Sequence, residues 1–232
     1  LASALVVGGI VGMGFFTIGG RQDGHHNPSH IQVNQVASPI RSDLILPTKT
    51  VYLDRPQLIT QIEEKLKAQG DIQTIALVGV GGAGKTTLAR EYARSQKAPL
   101  IWEINAETHV SLISSFEKMA ERLAQTEEEK KVFQSIQNLK DTEKKEEKLF
   151  LFVKEKLKTL SGWFLIYDNV EKFADIQNYF PLDSGTWGQG KVILTTRDNN
   201  IQNNKHVNYV IPVEALNTQQ KLDLFTKIMY NG

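Results

Sequence analysis

The chain has no cysteine. That excludes disulfides, zinc–thiolate centres and a cysteine nucleophile, although it assigns no compartment. An excess of either charge is also missing: 27 Lys and Arg stand against 26 Asp and Glu, for a net charge of +1. So even a balance gives no bulk electrostatic case for nucleic acid or for an acidic partner. No internal repeat divides the 232 residues, a length that suits one well-cored α/β unit with attachments. The first residue is Leu1 rather than methionine, so the chain reads as a fragment or a processed form.

Long uncharged runs are scarce, and the exception opens the chain. Leu1 to Ile18 carries no charged residue and stops at Arg21 and Asp23. As a helix it would span ~27 Å, about one hydrocarbon core. Ala4, Gly8 and Gly12 recur at four-residue spacing, which permits close helix–helix approach in lipid. Residues 1–20 are therefore a candidate transmembrane helix that anchors the rest of the chain on the cytoplasmic side. A signal-peptide core and a buried soluble segment are the other readings, and a soluble cytoplasmic protein is the alternative location. Residues 21–50, polar and punctuated by Pro28, Pro39 and Pro47, read as a linker. His25, His26 and His30 lie in it without further ligands at metal spacing, which reads as solvated loop histidine.

From residue 51 onward, apolar strands alternate with amphipathic helices. The helix signals fall at 55–69, 85–97, 109–125, within 127–160 and at 217–230. Strand signals fall at 73–79, 99–104, 163–167, 191–196 and 209–213. The lysine- and glutamate-rich stretch 127–160 reads as a solvated helical face. The pattern predicts an α/β fold with a mostly parallel five-stranded sheet flanked by helices, and ligands at the carboxyl ends of its strands.

The chemistry concentrates at three strand ends. Thr74 to Val78 runs into Gly79-Val80-Gly81-Gly82-Ala83-Gly84-Lys85-Thr86, and Thr87 continues into a helix. Strand, glycine turn and helix start, in that order, form a phosphate-binding loop. Glycines let the backbone wrap phosphate oxygens, and helix-start N–H groups with the helix dipole favour the negative charge. Lys85 would reach the β- and γ-phosphates, and Thr86 would offer its hydroxyl to Mg²⁺. A chance match to Gly79, Gly84, Lys85 and Thr86 is on the order of one in a hundred for such a chain. The second site is Trp163 to Tyr167, an apolar strand delivering Asp168. Placed beside the loop strand, it presents Asp168 as the second Mg²⁺ ligand. Asn169 follows where many such ATPases carry another acid, and an amide orients water without taking its proton. The third site is Lys191 to Thr196, which ends in Arg197. By position alone, Arg197 either contacts a γ-phosphate or pairs with Asp198 or another surface acid.

The ordered set resembles the STAND NTPases, and within them the NB-ARC branch. Val51-Tyr52-Leu53-Asp54-Arg55 is similar to the segment before the first helix, usually a Gly-Arg pair. Gly79–Thr86 resembles the Walker A loop, Ile101–Glu107 the second-strand motif and Phe164–Asn169 Walker B. Leu194-Thr195-Thr196-Arg197-Asp198 resembles the NB-ARC sensor strand, and Val213-Glu214-Ala215-Leu216 the block after it. The resemblance covers residues 51–230. It implies an ATP/ADP-controlled signalling switch with Mg²⁺, closed with ADP and self-associating with ATP. It further implies that Arg197 contacts the γ-phosphate and that Val51, Tyr52 and Arg55 lie near adenine. The chain ends before the Gly-Leu-Pro-Leu block and winged-helix domain that the resemblance implies next, so residues 51–232 read as a domain truncated on its C-terminal side. Sensor and effector partners would belong to such missing parts. Catalytic roles fall on Lys85, Asp168, Asn169 and Arg197, in a slow ATPase. The alternatives are an AAA-type or initiator-like turnover ATPase, and a membrane-anchored scaffold with a vestigial site.

Overall fold

Five consecutive apolar side chains, Trp163 to Tyr167, form the centre of a sheet covered on both faces. The structure, a computed structural model, describes residues 39–46, 54–67 and 71–231. Its strands are β1 (Ile40–Arg41), β2 (Gln73–Val78), β3 (Leu100–Asn105), β4 (Trp163–Val170), β5 (Gly190–Thr196) and β6 (Tyr209–Pro212). Every pairing is parallel, in the order β1-β3-β4-β5-β2-β6. The helices that carry the chain between them are α1 (Pro56–Leu66), α2 (Lys85–Ser95), α3 (His109–Leu123), α4 (Glu127–Gln137) and α5 (Thr142–Thr159). Two short turns, α6 (Phe173–Ile176) and α7 (Ser184–Trp187), precede β5, and α8 (Thr218–Asn231) is the last described element.

Side chains alternate across a strand, so β4 feeds two cores. Trp163, Leu165 and Tyr167 join Phe116, Met119 and Phe152 on one face. Phe164 and Ile166 join Ile62, Leu88 and Tyr92 on the other. Each of these large side chains contributes roughly 2 kcal/mol by leaving water. The helices start where local chemistry satisfies their first N–H groups. Thr108 with Ser111, and Thr126 with Glu129, form reciprocal capping boxes at α3 and α4, and the Asp141 carboxylate caps α5.

Two expectations change. The sheet has six strands rather than five, because β1 adds to the outer edge of β3. Ile40 N–H donates to the Pro99 carbonyl at 2.9 Å and Ser42 N–H to that of Ile101 at 3.0 Å. A strand of two residues is too short to show a period, and it arises within the stretch that reads as linker. Secondly, β4 does not adjoin the loop strand β2; β5 lies between them. Apolar content marks a buried strand, not its neighbour. The 127–160 stretch, helical as its spacing predicts, holds two helices, α4 and α5, separated at Asn138–Asp141 where Asp141 starts the second. No helix among the described residues is long and apolar enough to cross a membrane. Residues 1–20, and with them the candidate transmembrane helix, lie outside the described residues.

One irregularity shapes the functional edge. β4 and β5 hold register from Trp163 opposite Gly190 to Tyr167 opposite Leu194, and then Val170 stands opposite Thr196. The shift fits one extra residue into β4, a bulge that re-aims the side chains around it. Asn169 adopts φ +62° there, the one non-glycine residue with positive φ among the described residues. Asparagine tolerates that region better than most residues. Asn169→Val is expected to destabilise the fold by about 1–2 kcal/mol and Asn169→Gly to change it little; urea unfolding of both variants measures the difference.

The charge-rich helices are joined by an ion pair between Lys156 on α5 and Glu129 on α4. The Lys156 ammonium, followed by the backbone N–H of Thr126, lowers the Glu129 carboxyl from its ordinary 4.5 to about 2. A lowered carboxyl pKa stabilises the fold fully above the unfolded value and loses that contribution as pH falls through the folded one. Between pH 4.5 and about 2, Glu129→Gln should therefore flatten the loss of stability seen in the wild type; denaturant midpoints across that range measure it.

Candidate functional site

The carboxyl ends of β2, β4 and β5 meet beneath one loop. After Val78 the chain passes Gly79, whose backbone lies so close to β6 that an added Cβ would fall 2.2 Å from the Val213 carbonyl oxygen. Only glycine permits that approach. The loop then closes on Ala83, buried in the α1/α2 core, and reaches Gly84 at φ +89°, the residue from which α2 begins. A left-handed residue at this position also favours glycine. Gly81 faces the residue that follows β5: a Cβ on it would stand 3.2 Å from Arg197 Nη2. The helix therefore starts at Lys85 with Thr86 and Thr87 in its first turn. Its unsatisfied N–H groups and positive dipole end form a place for an anion.

Lys85 folds back across this loop. Its Nζ donates to the carbonyl oxygens of Gly79 at 2.8 Å and Val80 at 2.9 Å. Burial lowers the Lys85 pKa, the Arg197 guanidinium lowers it further, and the Asp168 carboxylate opposes both. An anion placed between the two cations would offset their repulsion.

Asp168 arrives from the β4 bulge. The Thr86 hydroxyl donates to its Oδ1 at 2.7 Å, and the Thr195 hydroxyl, from β5, donates to the same oxygen at 2.7 Å. Thr195 Oγ1 also accepts from Asn169 N–H at 2.9 Å. Asp168 thus joins the first turn of α2 to the end of β5. A hydroxyl and a carboxylate side by side form the sparse protein donor set that Mg²⁺ takes when phosphates supply further oxygens. Thr86 and Asp168 fit that ion by chemistry and proximity. Among the described residues no three His, Cys, Asp or Glu side chains converge as a separate metal cage. His25, His26 and His30 lie outside the described residues.

Arg197 leaves β5 at the loop mouth, exposed, and forms no ion pair or hydrogen bond among the described residues. Its neighbour Asp198 is occupied with backbone: the carboxylate accepts from Asn200 N–H at 2.8 Å, and its own N–H donates to Thr196 Oγ1 at 3.0 Å. On the outer flank, Arg55 Nη1 donates to the Glu214 carbonyl at 3.0 Å, and burial lowers its guanidinium pKa. A cleft of about 470 Å³ opens there, lined by Arg55, Leu58, Pro212, Glu214 and Ala215. A second, of about 580 Å³, reaches from Pro212 and Val213 to Gly79 and Val80. Val51 and Tyr52 lie outside the described residues.

Three groups make contacts here to which the sequence motifs assigned no role. Thr195 is 1% exposed, a hydroxyl inside a strand core, and the polar break in an apolar strand is its signal. Arg90 and Glu103 form a two-point ion pair, Nε to Oε2 at 2.6 Å and Nη2 to Oε1 at 2.5 Å, that ties α2 to β3 behind the site. The signal there is a charged residue in the middle of Leu100–Asn105. The Glu214 carbonyl carries no signal in the sequence, because its role belongs to the backbone.

Comparison with known proteins agrees with this geometry. The family profile described as the NB-ARC domain matches residues 55–232. Three Arabidopsis thaliana proteins, the probable disease resistance proteins RF45, RDL5 and RF9, are each 27% identical to this chain over 166 residues. The alignments cover 69% of the chain and 15% of each relative, so the similarity concerns one part of much longer proteins. With the profile spanning most of the chain and the glycine loop set between a parallel strand and its helix, this chain belongs to the NB-ARC family of STAND-type P-loop NTPases.

Proposed function

We propose that this chain is the ATP/ADP-binding switch domain of a STAND-type regulator, with Mg²⁺ as cofactor and slow hydrolysis as its reset. The observation that carries this reading is the 2.7 Å meeting of Thr86 and Asp168 beneath the Gly79–Thr86 loop. In this account the loop amides and Lys85 bind the phosphates. Thr86 and Asp168 hold Mg²⁺, which when bound neutralises charge across the β- and γ-phosphates. Arg197, exposed at the loop mouth beside Gly81, reads the presence of the γ-phosphate. Its planar guanidinium is suited to a terminal phosphate and has no competing acid among the described residues. The adenine base lies over the flank of Arg55, Val80 and Glu214, where main-chain groups do much of the reading.

Asn169 favours a switch over a fast catalyst. Its amide orients a water but accepts no proton, so the base that speeds hydrolysis in many relatives of this loop is missing at that position. A switch needs different affinities in two states rather than rapid turnover. Self-association in the ATP state completes the cycle in this reading. The uncharged run Leu1–Ile18 is the proposed membrane tether, carried by its sequence alone.

Lys85→Ala is expected to weaken ATP and ADP binding at least a hundredfold, about 2.7 kcal/mol, while the variant keeps its fold. Titration with a fluorescent nucleotide measures it, and undiminished binding in the variant contradicts the assignment.

A further inference from the structure

We infer that Thr195 is the positioning residue for the metal-binding carboxylate, fixing Asp168 from behind so that its orientation does not depend on Thr86 alone. The inference rests on the reading above, in which Asp168 and Thr86 hold Mg²⁺. The Thr195 hydroxyl has one hydrogen and uses it on Asp168 Oδ1 at 2.7 Å. Its oxygen accepts the backbone N–H of Asn169 at 2.9 Å. One buried side chain therefore grips both the carboxylate and the next peptide of the β4 bulge.

The other hydroxyl on the same Oδ1 belongs to Thr86. A hydroxyl ligates a cation through an oxygen lone pair and keeps its hydrogen, so Thr86 can hold the ion and still donate to Asp168, but its position then follows the ion. Thr195, anchored in the sheet, is the restraint on the carboxylate that does not move with the ion. The location suits this role. Thr195 stands opposite Leu77 in the β2–β5 ladder and is 1% exposed. Valine has nearly the same shape and suits a buried strand better, because a buried hydroxyl costs stability unless it is bonded. A hydroxyl at this position is accounted for by the two bonds it makes. Thr196, the next residue, is engaged elsewhere, with Asp198 N–H at 3.0 Å. Groups of this kind, one step behind a metal ligand, characteristically set metal affinity within a factor of ten to a hundred.

The test is the Mg²⁺ dependence of ADP binding to the full chain, with binding in excess chelator as the reference. Thr195→Val should raise the Mg²⁺ concentration for half-maximal tightening about tenfold and leave metal-free ADP affinity unchanged. Thr195→Ser, which keeps the hydroxyl, should restore the wild-type midpoint. A wild-type midpoint in Thr195→Val, or a raised midpoint in Thr195→Ser, overturns the inference. Should Thr195→Val fail to fold, hydrogen exchange of the wild-type Asn169 amide by NMR provides the second measurement. Slow exchange is expected from its bond to Thr195, and exchange at the rate of an open peptide contradicts it. A wild-type chain whose ADP binding ignores Mg²⁺ would instead overturn the underlying assignment of Asp168, and this inference with it.

Discussion

A single carboxylate oxygen, Asp168 Oδ1, receives hydroxyls from two directions, Thr86 at 2.7 Å and Thr195 at 2.7 Å. The strand that presents it is apolar from Trp163 to Tyr167 and packed on both faces, so the acid cannot retreat into the sheet. It sits at the edge, where the chain changes from core to loop. An acid there needs donors or a cation, because unpaired charge at a half-buried position is costly. The first turn of α2 and the end of β5 supply those donors. Because β5 lies between β4 and β2, the carboxylate reaches Thr195 on the neighbouring strand and Thr86 on the helix that starts beyond the next one.

Much of this was legible in the sequence because it is local. Gly79 to Thr86 states its own conformation: glycines through the turn, one of them at φ +89° just before Lys85, leave few alternatives. The alternation of apolar strands and helices likewise specified a parallel sheet covered on both sides. What stayed hidden depends on which elements meet. The position of β5 between β2 and β4 follows from packing two faces at once, and no periodicity reports it. β1 is a two-residue edge, defined by bonds to Pro99 and Ile101 rather than by pattern. The bulge at Asn169 appears only as a register shift between two strands. Thr195 could be singled out as a polar residue in an apolar run, yet its partner was unknowable until β4 and β5 lay side by side.

These details bear on what a nucleotide does here. Thr195 lies near the end of β5 and Arg197 directly follows that strand, so the proposed reader of the γ-phosphate and the proposed support of the metal ligand are two residues apart on one chain segment. Cations Lys85 and Arg197 face the same loop, and their mutual repulsion, on top of burial, lowers the Lys85 pKa. Phosphate would relieve that strain, and a third phosphate would relieve it differently from two. A difference in binding free energy between ATP and ADP, expressed through one chain segment, is what a conformational switch requires.

The most direct test of a joint nucleotide–metal site is thermal unfolding of the chain with ADP, with Mg²⁺, and with both. A ligand at free concentration L that binds only the folded form stabilises it by RT ln(1 + L/Kd) and so raises the midpoint. The account predicts that ADP and Mg²⁺ together raise the midpoint by more than the sum of their separate effects. A midpoint unmoved by the pair, or moved only by the sum of the two, contradicts it.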